Sequence, residues 1–182
     1  MSGVLAGLIG SFAPIATSFD SIATFTGNGT TNTYTFSSIP QTYKHLQVRV
    51  SAIGTGGGSL VMRINGDTGN NYSRHQLRGN GTTAFSGATL SNNLMQISGA
   101  PGGIDTSFPM ASVTDIIDYA STSKNKVTRT LAGVDTNGTL DQAINMTSNI
   151  WLNTSAITSL TIFSTGTVFS TGTSIALYGI KG

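Results

Sequence analysis

The stretch His45-Leu46-Gln47-Val48-Arg49-Val50-Ser51-Ala52 decides the fold class. Leu46, Val48, Val50 and Ala52 fall on one side of an extended chain, and His45, Gln47, Arg49 and Ser51 on the other. That is the period of two expected of a half-buried strand. Leu60–Ile64 repeats it, with Leu60, Met62 and Ile64 inward and Arg63 outward. Working outward, β-rich stretches recur near 20–26, 32–38, 44–53, 59–65, 72–78, 91–98, 110–119, 126–135, 142–152, 157–164 and 173–181. Between them stand Gly27-Asn28-Gly29, Gly54 to Gly58, Asn65-Gly66-Asp67, Asn80-Gly81, Pro101-Gly102-Gly103 and Asn137-Gly138. Such turns tolerate positive φ and close hairpins. Short strands at intervals of about ten residues, with no long helical pattern, predict an all-β antiparallel sandwich or barrel.

Four strands raise the question of which face points inward. The last two, 157–164 and 174–180, are apolar on both sides, with Ile175 and Leu177 opposed by Tyr178 and Ile180. They belong at the heart of the fold or against another subunit. In 110–119, Asp115 shares a face with Val113, Ile117 and Tyr119; in 126–135, Arg129 shares one with Val127 and Leu131. If those faces point inward, Asp115 and Arg129 need each other as a structural ion pair, because a buried charge requires a partner. If they point outward, the other parity packs inside.

The composition narrows the function. The chain has 182 residues, 38% hydrophobic but only 9% charged, with no cysteine and no glutamate. Average domains carry about 25% charged residues. Thr, Ser, Asn and Gly take their place, giving a polar surface with short side chains that a neighbour covers at little entropic cost. This favours permanent assembly. Without cysteine there is no disulfide, thiolate metal site or cysteine nucleophile. The net charge of +2 is spread over scattered bases, so neither a nucleic-acid nor a membrane partner is expected.

Residues 1–19 are apolar and uncharged, and Val4, Leu5, Leu8, Ile9, Phe12, Ile15 and Phe19 are their large side chains. A secretory signal needs a positive start and a spanning helix about 20 apolar residues. The segment reads instead as an assembly arm, extended or short-helical, that docks on its own fold or on a neighbour. Residues 20–182 form the β-sandwich domain.

No catalytic set emerges. His45 and His75 have abundant serines around them but no Gly-x-Ser-x-Gly elbow. Asp115 and Asp118, the closest acids, point to opposite faces of a strand, unlike the paired carboxylates of glycoside hydrolysis. Asp67-Thr68-Gly69-Asn70-Asn71 lacks the spaced acids and terminal Glu of a calcium loop and reads as a turn. No metal, cofactor or enzymatic activity is expected. Lys124, Lys126 and Arg129 make a small basic group at a hairpin edge, where lysine discourages stray pairing. Tyr72, Arg74, His75 and Arg78 make a polar-aromatic cluster, a candidate surface contact for a sugar or a subunit against the plainer reading of a solvated strand face. Asn-x-Ser/Thr triplets occur at Asn28, Asn71, Asn80, Asn137, Asn145 and Asn153, a frequency that abundant Thr and Ser produce without glycosylation.

Several strings carry a resemblance together: Tyr43-Lys44-His45-Leu46-Gln47, Ile64-Asn65-Gly66-Asp67-Thr68-Gly69-Asn70-Asn71-Tyr72-Ser73, Asp115-Ile116-Ile117-Asp118-Tyr119-Ala120, Trp151-Leu152-Asn153-Thr154 and Ala176-Leu177-Tyr178-Gly179-Ile180-Lys181-Gly182. Residues 36–182 resemble a family of small structural proteins of tailed bacteriophages, cyanophage-like among them. The resemblance implies a virion component assembled in the host bacterial cytoplasm, a jelly-roll-like sandwich and a homotrimer, with no catalytic residues. A capsid decoration (cement) protein contacting the major capsid protein or another virion protein is the first expectation. A tail or head fibre or receptor-binding module touching host glycans is the alternative, and a glycan-processing enzyme the remote one.

Overall fold

A computed structural model describes residues 18–98, 103–136 and 143–182. Its strands are β1 (Phe19–Thr26), β2 (Thr33–Phe36), β3 (His45–Ala52), β4 (Leu60–Ile64), β5 (Tyr72–Gly79) and β6 (Ala84–Asn92). They continue with β7 (Met95–Gln96), β8 (Met110–Ile117), β9 (Lys126–Val134), β10 (Ala143–Trp151), β11 (Leu160–Ser164) and β12 (Ser174–Ile180). Two antiparallel sheets result, a large one in the order β1-β12-β3-β8-β9-β10-β5-β6 and a small one in the order β2-β11-β4-β7.

The first four strands of the large sheet face the four of the small one, and consecutive strands of this set alternate between sheets except at β4 and β7. That winding is a jelly roll, the form of sandwich that the resemblance implies. Two hairpin excursions complete the chain. One, β5–β6, leaves between β4 and β7; the other, β9–β10, leaves between β8 and β11. Together they extend the large sheet well past the small one.

The core lies between the jelly-roll halves. Leu46, Val48, Val50, Ile175 and Leu177 of the large sheet meet Leu60, Met62, Ile64, Leu160 and Ile162 of the small one, all of them buried. Burying each such side chain contributes on the order of 1.5–3 kcal/mol. Close approach fixes some glycines: a Cβ on Gly27 would stand 2.2 Å from the Ser170 carbonyl oxygen. The β4–β5 connection begins with Asn65 and Gly66, at φ 51° and 70°. The Asp67 N–H donates to the Ile64 carbonyl at 2.9 Å, the closure of a primed turn that Asn-Gly suits.

Several expectations need correction. The stretch 91–98 is not one strand: β6 occupies 84–92, and β7 is only Met95–Gln96. Ala84–Asn92 escapes a pattern search because it is an edge strand with no apolar alternation, largely exposed along its length. The penultimate strand, β11, starts only at Leu160, with Ile157 buried ahead of it. The strand β1 begins at Phe19, inside the segment read as the arm; Val4, Leu5, Leu8, Ile9, Phe12 and Ile15 lie outside the described residues.

Candidate functional site

The extension inverts the usual patterning. On β9 the buried side chains are Lys126, Thr128, Thr130 and Ala132, and on β10 Ala143, Asn145, Thr147, Asn149 and Trp151. A polar layer therefore faces inward. The Thr114 and Thr130 hydroxyls bond each other at 2.8 Å, and Asn149 Nδ2 donates to Thr128 Oγ1 and the Gln96 carbonyl, both at 3.2 Å. Asn145 Nδ2 donates to Thr147 Oγ1 at 2.9 Å and to the Ser98 carbonyl at 3.2 Å. Arg74 donates to Gln96 Oε1 in the same layer. Among the described residues, four buried atoms there, Gln76 Oε1, Ser112 Oγ, Asn145 Oδ1 and Asn149 Oδ1, have no hydrogen-bond partner. Each such atom costs about 1–3 kcal/mol, so this layer is a poorer source of stability than an apolar one.

The apolar residues of these strands point outward instead. Leu77, Ile144 and Met146 are 61%, 62% and 61% exposed, and Leu131, Val113 and Val127 share their face. Strand register sorts that face into rows running across the sheet. One row is polar: Tyr178, Gln47, Asp115, Arg129, Ser148 and His75 lie opposite one another in succession. The next is mainly apolar, running Ala176, Arg49, Val113, Leu131, Met146 and Leu77. Beyond it come Ser174, Ser51, Ala111, Gly133, Ile144 and Gly79. The small residues of this last row leave a shallow hollow of about 530 Å³ over β12, β3 and β8, bordered by Val113, Leu131 and Ile144.

Asp115 and Arg129 are direct cross-strand partners, 3.9 Å apart at Oδ2 and Nη2. They lie on the outer face, with Arg129 71% exposed, so the inward reading of the pair is corrected. The reason is that the other parity packs inside: Met110, Ser112, Thr114 and Ile116 of β8 and Lys126, Thr128, Thr130 and Ala132 of β9 are buried. A polar chain continues from the pair: Gln47 Nε2 donates to Asp115 Oδ1 at 2.8 Å, and Arg49 Nε to Gln47 Oε1 at 2.7 Å. The Arg49 guanidinium in turn lies over the rings of Phe19 and Tyr178, at 5.1 and 4.8 Å from their centroids. Phe19, the last of the arm residues, thus enters on this same face.

The cluster Tyr72, Arg74, His75 and Arg78 is divided by strand parity. Tyr72 is fully buried, and Arg74 turns into the polar layer. Arg78 lies over the Phe85 ring at 5.1 Å, while His75 alone joins the outer face. These residues do not form one contact surface. The basic group is divided too. Lys126 is buried, its Nζ donating to the Lys124 and Thr154 carbonyls at 2.7 and 2.9 Å, and burial lowers the pKa of its ammonium. Lys124 instead bonds Asp118 at 2.9 Å, which with Lys44 and His45 holds that carboxyl below its ordinary range.

His45 is tied into the fold, its Nδ1 accepting the Asp118 N–H at 3.0 Å. Among the described residues no three of His, Cys, Asp or Glu group as metal ligands. Both Asp67 oxygens are engaged within the protein, Oδ1 by the Gly69 N–H and Oδ2 by Asn71 and Trp151. The Asn-x-Thr triplets at Asn28 and Asn80 are turn devices, each Oδ1 accepting backbone N–H groups two and three residues on. The surface that sequence reasoning missed is the outer face itself. Its signal was present in Ile144, Met146 and Leu131, but alternation alone does not say which side is out.

Comparison with protein-family models, with curated proteins and with solved structures returns no match for this chain.

Proposed function

We propose that this chain is a structural subunit of a tailed-bacteriophage particle, a decoration protein that holds capsid subunits together. The observation that carries the reading is the inverted patterning of β9 and β10, with Thr and Asn inward and Leu131, Ile144 and Met146 outward. A solitary protein gains nothing by exposing those side chains. A subunit with a covered outer face does, at roughly 25 cal/mol per Å² removed from water. The charge-poor, Thr- and Ser-rich composition supports the same role, and the resemblance over residues 36–182 supplies the particle. The arm fits as a tether, since the roughly 17 residues ahead of β1 reach at most about 60 Å when extended.

Purified particles test this by stoichiometry. Hundreds of copies distributed over the head are expected, and particles lacking the protein should lose their genome at lower temperature. A handful of copies at the tail would instead mark a fibre subunit, and absence from the particle would refute the reading. A chain lacking residues 2–17 should fail to join particles.

A further inference from the structure

We infer that the outer face of the large sheet binds the same face of a second copy, about a two-fold axis running along the boundary between β8 and β9. This goes beyond the proposed role and stands apart from it, since it concerns the isolated protein.

The boundary is the midline of the sheet, with β1-β12-β3-β8 on one side and β9-β10-β5-β6 on the other. The two halves differ in relief. The extension carries the protruding Leu131, Ile144, Met146 and Leu77, and the jelly-roll half carries the hollow floored by Ser51, Ala111, Ser174 and Ala176. Rotation about a line parallel to the strands lays β8 on the partner's β9 and β3 on its β10. By strand register Ile144 of each copy then meets Ser51 of the other, Leu77 meets Ala176, Leu131 meets Val113 and Met146 meets the stem of Arg49.

The same rotation keeps every residue in its row. The polar row meets the polar row, the mainly apolar row meets its counterpart and so does the row of small residues, which an axis across the strands would not achieve. Nearest the axis, Asp115 of each copy meets Arg129 of the other. Within one chain that pair is loose, at 3.9 Å, and Arg129 is 71% exposed, so its guanidinium has donors to spare. The size also fits. Eight strands at about 4.8 Å spacing and about 3.3 Å per residue make a face of roughly 900 Å², near the roughly 800 Å² per partner of a stable complex. Sheets stacked this way keep their strands within about 30° of each other. A face complementary to itself closes at two copies, not at the three that the resemblance implies.

Sedimentation of the full-length chain tests the inference. The wild-type protein should have twice the 18.8 kDa chain mass. D115R and R129D should each weaken self-association at least about tenfold, because like charges then meet across the axis. Mixing the two variants in equal amounts should restore the pair, since one copy is then wholly basic and the other wholly acidic at that point. An interaction confined within each chain predicts no such rescue. Circular dichroism melting checks that both variants fold; should either fail, M146K replaces it and must yield single chains. A wild-type mass of one or three chains, or a mixture that stays unassociated, overturns the inference. Single chains that still join particles would do so while leaving the proposed function intact.

Discussion

The indole Nε1–H of Trp151 donates to Asp67 Oδ2 at 2.6 Å, joining the end of β10 to the turn that follows β4. This bond ties the extension to the small sheet. Asp67 also holds Asn71 through Oδ2 and the Gly69 N–H through Oδ1, and its carbonyl accepts the Tyr72 hydroxyl at 3.1 Å. Tyr72 is buried beside it, and burial pushes its pKa up to about 12. Removing the carboxylate strips three donors of their acceptor. D67A should cost about 2–4 kcal/mol, since hydrogen bonds to charged groups are worth about 1.5–3 kcal/mol each but are partly replaced by water here. Urea denaturation measures it, and W151F should reproduce only part of the loss.

The same carboxylate makes stability depend on acid. Burial opposes its ionisation, but the bonds from Trp151, Asn71 and Gly69 together lower its pKa below the ordinary 3.8. The folded protein therefore binds fewer protons than the unfolded chain in this range, so stability rises with pH there. Its contribution is complete above about pH 5 and is lost as pH falls through the lower folded value. Thermal melting between pH 5 and 2 should show this loss, and D67N should show a shallower one. Asp118, lowered chiefly by the Lys124 hydrogen bond, leaves a residual slope in that variant.

The buried Thr114–Thr130 pair allows a cleaner energetic test. Each hydroxyl has the other as its partner, at 2.8 Å. T114V or T130V alone strands one buried hydroxyl and should cost about 1–3 kcal/mol. The double variant replaces both with apolar groups of the same shape and should lie near wild type. A double-mutant cycle in urea reads the difference, with a coupling of about 1–2 kcal/mol expected.

The outer face predicts the opposite behaviour. L77S and M146S remove apolar groups that are 61% exposed in the single chain. In dilute protein each should change unfolding free energy by less than about 0.5 kcal/mol, yet each should weaken assembly. Measuring stability below the association concentration and sedimentation above it separates the two effects.

Much of the fold was legible because period-two alternation marks strands directly. The strand His45–Ala52 has its predicted inner face, with Leu46, Val48 and Ala52 fully buried, and Asn65-Gly66 turns where that dipeptide suggests. What alternation does not reveal is which side of the sandwich a face meets. Val113 and Leu131 look like core residues, but the core has already been filled by the facing halves of the jelly roll. The extension beyond the small sheet packs Thr128 and Asn149 against Met95 and Gln96 of β7 instead. The Asp115–Arg129 pairing followed from hairpin register, whereas its outward orientation depended on the reach of a different sheet. The strand β6 was missed for the same reason: exposed on both sides, Ala84–Asn92 has no alternation to read.

On the proposed pairing, the outer face of the large sheet is covered in the assembled protein. The chain has no cysteine, so single introduced thiols report accessibility without background. The direct measurement compares maleimide labelling of M146C, on the outer face, with T35C, on the exposed edge strand of the small sheet, in assembled and in dilute protein. The prediction is at least about tenfold slower labelling of M146C on assembly, with T35C unchanged. Equal labelling of M146C in both states would contradict the account.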